Sequence, residues 1–256
     1  MYKHLEAKDY KRHLDIPEEY QVDGVLVAGT WKVDREFERI VSLAKQYNSG
    51  AKIQRIPYEF IGIGQEIIIN GKRIWIFVMY GGVMLSEFVH LGCIFGSKKN
   101  ILVGVAGGLK PGIKIADVVL PTESYKDGSM STLYDRNDDV LIESDDSLRS
   151  NIKAKLSSEH KVYEGKTMTC QAMMAETEED VKKWSEQGYL AVEMEAATVF
   201  AVSKHFNVPA AALLSVADNL IEDETVFSEN YQVLAEIRAK VRDEQYLIAL
   251  DELINS

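Results

Sequence analysis

"AVEMEAATVF", residues 191–200, sets two carboxylates, Glu193 and Glu195, on either side of Met194 in a run that is otherwise apolar apart from Thr198. A buried charge is costly unless it is paired or hydrogen-bonded, so these acids must hold something. The residues before them, "YLAV", suit a buried strand, and those after, "AATVFAVSKHF", suit a helix. If the strand runs through Glu195, its period of two puts both carboxylates on one side and Met194 on the other. A carboxylate at such a strand end can accept hydrogen bonds from two neighbouring hydroxyls, as in a ribose 2′,3′-diol. Alternatively, both are helix N-terminal acids favoured by the macrodipole of the helix that follows.

Outward from this stretch, short apolar runs recur as candidate buried strands: 24–29, 73–80, 100–108, 116–121, 189–195 and 209–218. Helical periodicity lies between several of them, at 34–47, 83–96, 176–187 and 196–206, and a long final helix is predicted over 227–254. Alternating strand and helix predicts an α/β fold: a single three-layer domain spanning 1–256, with a mixed, mostly parallel sheet, helices on both faces, and 1–20 as an N-terminal arm. Asn70-Gly71 between two apolar runs predicts a hairpin, which is what makes the sheet mixed. Polar loop signals dominate 122–160.

Composition bounds the function. Hydrophobic residues make up 46% of the 256, enough for a sizeable core. The formal charge of −11 repels polyanions, which argues against nucleic acid as a partner. Cys93 and Cys170 stand far apart with no CxxC or His-rich context, so neither a metal site nor a disulfide framework is expected, and a reducing, cytoplasmic compartment is. The polar start "MYKHLEAKDYKRHL" and the lack of a long apolar run predict neither export nor a membrane span.

In open α/β sheets ligands bind beyond the carboxyl ends of the strands. There, "LVAGTWKV" offers Gly29 and Thr30, which could present backbone N–H groups to an anion or mark a plain turn. "VGVAGGLKPG" offers Gly104, Gly107 and Gly108, whose spacing is not GxGxxG, so no nicotinamide cofactor is expected. "AAALLSVADNL" delivers Asp218 at the end of an apolar run, as a general acid with a raised pKa or as a helix N-cap.

Taken in order, "LVAGT", "LVGVAGGL", "IADVVLP", "LAVEMEAATVFAVSKHFNVPAAAL" and "SVADN" resemble the nucleoside phosphorylase and nucleosidase superfamily, of purine nucleoside phosphorylase, uridine phosphorylase and methylthioadenosine nucleosidase type. The likeness spans roughly residues 20 to 250. It implies a nucleoside phosphorylase-like fold, cleavage of a nucleoside N-glycosidic bond, and no cofactor beyond phosphate as co-substrate. It further implies that Glu195 binds the ribose hydroxyls with Met194 against the sugar and Glu193 beside them, and that Asp218 protonates a purine base as it leaves. An aromatic residue stacks on the base in such proteins; Met173 stands at that position, with Met174 following, and both could equally be core filling. Gln171 could bond a base edge and Val192 could pack on one. The resemblance also implies a homodimer or a homohexamer, with His13 reaching a neighbouring subunit's sugar site.

The pattern breaks at the phosphate subsite. Val33 stands where relatives place an arginine, Leu102 replaces a second arginine, and Val105 replaces a hydroxyl residue, while Gly29, Thr30 and Gly107 remain. A dianion needs cationic partners to offset its desolvation. Lys32, Arg35 or Arg55 could supply them; otherwise water is the acceptor, as in a nucleosidase, or the protein binds nucleoside without turnover.

Overall fold

The computed structural model describes residues 4–126 and 130–255. Strands β1 (Gly24–Gly29), β4 (Lys72–Met79), β5 (Asn100–Gly108) and β10 (Ala210–Asn219) carry the near-continuous apolar runs that strands buried on both faces require. Shorter or more polar strands complete the sheet: β2 (Lys52–Arg55), β3 (Gln65–Ile69), β6 (Val118–Tyr125), β7 (Leu141–Glu143), β8 (Val162–Thr169) and β9 (Ala191–Glu193). Helices α1 (Ala7–His13), α3 (Gly82–Ile94), α4 (Met130–Tyr134) and α7 (Ala196–His205) accompany α2 (Val33–Tyr47), α5 (Asp146–Lys155), α6 (Glu178–Glu186), α8 (Glu229–Val233) and α9 (Ala235–Ile254).

Alternation in β1 sorts the two faces. Val25 and Val27 point into one core with Phe88 and Val89 of α3 and Val199 and Phe200 of α7. Leu26 and Ala28 point into the other, with Ile40 of α2, Ile152 of α5 and Tyr246 of α9. The architecture is therefore mixed α/β with helices on both faces, as the sequence predicts. Parallel pairings join β1 to β4 and β5, and β10 to β5; antiparallel pairings join β3 to β2 and β4. The β3–β4 hairpin turns at Asn70 and Gly71, both at positive φ (53° and 79°). Beyond β5 the sheet curls: β5 pairs β10, β10 pairs β6, β6 pairs β8, β8 pairs β9, and β9 returns to β5, closing a ring.

Four expectations need correction. β6 starts at Val118 rather than 116, because Ala116 takes a left-handed conformation (φ 74°). β9 ends at Glu193, since Glu195 already occupies the N-cap of α7. The final helix is two helices, interrupted at Leu234, whose ψ of 12° breaks the helical ladder. The region 122–160 is not mainly loop: β6 continues to Tyr125, and α5 begins with the Asp145 carboxylate accepting from the Leu148 N–H at 2.8 Å. β8, "VYEGKTMT", lies outside the strands predicted from apolar runs.

Candidate active site

Register brings distant residues to one sheet edge. Gly29 pairs with Gly104 and Met79; Gly107 pairs with Asp218 on one side and Val192 on the other; Glu193 pairs with Thr169. A cavity of about 580 Å³ opens at this edge, within the size range of small-molecule sites. Gly29, Thr30, Gly107, Met173, Val192, Glu193, Met194, Glu195 and Asp218 all line it.

The two glutamates of the opening stretch part company. One Glu193 oxygen accepts from the backbone N–H groups of Glu195 and Ala196, both at 2.7 Å, and the other accepts from the Thr169 hydroxyl. Thr169 in turn accepts from the Ala197 N–H at 3.1 Å. Glu193 is thus the acid that satisfies the first N–H groups of α7, as the helix-terminus alternative holds. The Glu195 side chain does not cap that helix. It crosses to Gly81, whose N–H donates to it at 2.6 Å, and its other oxygen lies over Gly29. A Cβ at Gly29 would stand 2.6 Å from that oxygen, so the glycine is there to admit the carboxylate.

Burial, then the neighbouring Glu193, pushes the Glu195 carboxyl up to about 8, and burial raises Glu193 as well. Asp218 lies within β10 and is not a helix N-cap. Burial and then Glu176 raise its carboxyl to about 6. The next residue, fully buried Asn219, ties the following loop to the carbonyls of Lys110 and Ile113.

Other sequence-predicted residues are placed less centrally. Met173 lines the cavity, with its sulfur 3.5 Å from the Tyr80 hydroxyl. Met174 is 79% exposed, so it is not core filling, and Met173 is not buried either. Gln171 is half-buried but does not line the cavity. His13 is exposed at the end of α1, away from this chain's cavity. Among the described residues no group of His, Cys, Asp or Glu could hold a metal ion. No described helix is long and apolar enough to cross a membrane.

The structure places two of the candidate cations, Lys32 and Arg35, at the cavity and adds Arg39, Arg238 and Arg242, which no local motif announces. Lys32, Arg35 and Arg39 of the α2 segment, and Arg238 and Arg242 of α9, line the same cavity. Arg242 donates to the Glu36 carboxylate (3.1 Å) and to the Ser215 hydroxyl (3.4 Å), three residues before Asp218. Arg39 pairs with Asp243 at 2.6 Å, and Arg238 stacks on Tyr231 with its guanidinium 3.5 Å from the ring centroid. The Nε groups of Arg238 and Arg242 are buried without a partner. Arg55 is spent elsewhere, donating to the Gly62 carbonyl. The i, i+4 spacings of Arg35 with Arg39 and of Arg238 with Arg242 were the available signal. Leu102 is fully buried and Val33 is partly exposed, while Val105 lines the cavity.

The family model described as "Phosphorylase superfamily" matches residues 26–244. A DeoD-type purine nucleoside phosphorylase of Clostridium perfringens is 30% identical over 173 residues, covering 66% of this chain and 74% of that protein. A DeoD-type purine nucleoside phosphorylase of Caldanaerobacter subterraneus is 28% identical over 201 residues, covering 76% and 82%. Among solved structures, uridine phosphorylase from Vibrio fischeri superimposes with a TM-score of 0.73 at 20% identity, over 92% of this chain and 95% of that one, a likeness of fold.

Proposed function

The chain belongs to the phosphorylase superfamily, and from that premise we propose that it cleaves the N-glycosidic bond of a purine nucleoside and transfers the ribosyl group to phosphate. The observation that carries this is the meeting in one cavity of Glu195, positioned by Gly81 and Gly29, and Asp218, two carboxyls that burial raises.

Glu195, fixed by Gly81 and Gly29, accepts from the ribose 2′ and 3′ hydroxyls, and Met194 packs against the sugar. As the C1′–N bond breaks, its electron pair goes to the base and positive charge grows on the sugar, as in glycoside hydrolysis. Asp218 gives its proton to the departing base, and ionised Glu195 stabilises the sugar cation. A phosphate oxygen then bonds to C1′. The arginines of α2 and α9 take over the anion-binding task that Val33, Leu102 and Val105 do not perform. The apolar character of those three positions favours a second reading, in which water is the acceptor.

The working form is proposed to be a homo-oligomer, which would cover apolar residues exposed at the cavity mouth and nearby: Trp31, Tyr80, Val83 and Met84. Light scattering on the purified protein reads that directly. The function is tested by following base release from purine nucleosides with and without phosphate. Ribose 1-phosphate formed only with phosphate supports phosphorolysis, free ribose formed without it supports hydrolysis, and no release from any nucleoside refutes the enzyme reading.

A further inference from the structure

Asp218 is not the only carboxyl at the base end of the cavity. Its Oδ1 lies 3.1 Å from where a Cβ on Gly107 would be, beside the side chains of Leu220 and Val192, and Glu176 lines the same cavity, near enough for its charge to help raise the Asp218 carboxyl. Glu176 closes the short helical turn of residues 173–175, donating its N–H to the Met173 carbonyl at 3.2 Å. One of its oxygens accepts from the Cys170 thiol at 2.9 Å, and the Cys170 N–H is bonded to the Glu193 carbonyl at 2.8 Å. The carboxylate is therefore anchored to the sheet end, and its second oxygen has no partner among the described residues. Nothing in the family resemblance assigns it a task.

We infer that Glu176 and Asp218 together read the base, selecting one that presents a ring-nitrogen acceptor next to an exocyclic amino donor, as adenine does with N7 and its 6-amino group. The inference rests on the nucleoside-cleaving function proposed above. Two carboxyls lining one partly buried cavity repel when both are charged, and a base that covers them favours a single proton between them. With that proton on Asp218, the corner offers one donor and one acceptor. Adenine's N7 and N6–H₂ match this pair, whereas the N7 and O6 of guanine or hypoxanthine are both acceptors. A 6-oxopurine would set its O6 against the Glu176 carboxylate, and a pyrimidine lacks the N7 that Asp218 addresses.

The test compares kcat/KM for adenosine, inosine and uridine in saturating phosphate, for the natural chain and for Glu176→Gln. Because a site built around a hydrogen bond rejects a mismatched group strongly, adenosine is expected to exceed inosine by about 100-fold or more. Glu176→Gln, whose amide can turn a donor toward O6, is expected to bring the two within about tenfold. Calorimetric binding of free adenine and hypoxanthine gives the same comparison without turnover. Equal or reversed preference in the natural chain, faster cleavage of uridine, or an unchanged ratio in Glu176→Gln overturns the inference. Turnover without base preference sinks only this inference. Adenine preference lost in Glu176→Gln, with no nucleoside cleaved, upholds it and refutes the catalytic reading instead.

Discussion

The pH dependence of kcat/KM is the sharpest consequence of the site, because the unliganded protein holds its two carboxyls in the wrong order for the proposed chemistry. Catalysis needs a protonated Asp218 and an ionised Glu195. Burial and Glu176 set Asp218 at about 6, whereas burial and Glu193 set Glu195 at about 8. At pH 7 about nine-tenths of each group is therefore in the unproductive form, and about 1% of molecules carry the productive pair, a cost of about 3 kcal/mol. Since kcat/KM reports the free enzyme, it is expected to be level between about pH 6 and 8 and to fall about tenfold per pH unit outside that window. The acid limb follows loss of the Glu195 carboxylate, and the alkaline limb follows loss of the Asp218 proton. In the complex the order reverses, because ribose hydroxyls donating to Glu195 lower its pKa while the base covering Asp218 raises it. The acid limb of kcat is therefore expected below that of kcat/KM. Initial rates at phosphate saturating for each pH, so that ionisation of the acceptor does not shape the curve, measure both. Asp218→Asn is expected to cost 10²–10⁴-fold, roughly the yield of a positioned general acid. A kcat/KM profile that only rises or only falls between pH 5 and 9, or an Asp218→Asn variant with more than about a tenth of the activity, refutes the assignment.

Glu195→Gln separates stability from activity. A folded carboxyl raised to about 8 contributes stability fully present below its unfolded value and lost as pH rises through 8. The variant is therefore expected to lose turnover yet gain on the natural chain by ~4 kcal/mol between pH 5 and 9, read by chemical denaturation at both. Glu193→Ala strands the N–H groups of Glu195 and Ala196, and denaturation should report a loss of roughly 1–3 kcal/mol at pH 7. Gly29→Ala drives a methyl to within 2.6 Å of the Glu195 carboxylate. It should raise the nucleoside KM by at least about tenfold, a misplacement effect visible in steady-state kinetics. Arg242→Gln removes a cation from the cavity wall and leaves Glu36 to Arg39 and Tyr246. It should raise the phosphate KM by about tenfold or more while the nucleoside KM changes little; the reverse split would place the acceptor elsewhere.

Legibility followed the range of the interactions. The short apolar run "GVLVAG" and the Asn70-Gly71 turn are local and survive in the structure as β1 and the β3–β4 hairpin. β8 escaped because its apolar residues are thinned by Glu164, Gly165 and Lys166 and it is only half-buried over much of its length. It is held by pairing with β6 and β9, which a single strand's sequence does not announce. The acids of "AVEMEAATVF" were legible as important but not as different. What separates them is the backbone after β9: at Glu195 the chain has left the strand (φ −128°, ψ −30°), so the period-two rule that would have aligned the carboxylates no longer applies. The cation set was less legible still. Arg39 and Arg242 meet at Glu36 from helices about 200 residues apart, and each alone reads as an ordinary charged helix face. Cations brought to one cavity by two helix faces leave no contiguous motif. A missing loop arginine is therefore weak grounds for assigning water as the acceptor: Val33 removes one donor, while Arg39, Arg238 and Arg242 enter the cavity from positions that the motif never covered.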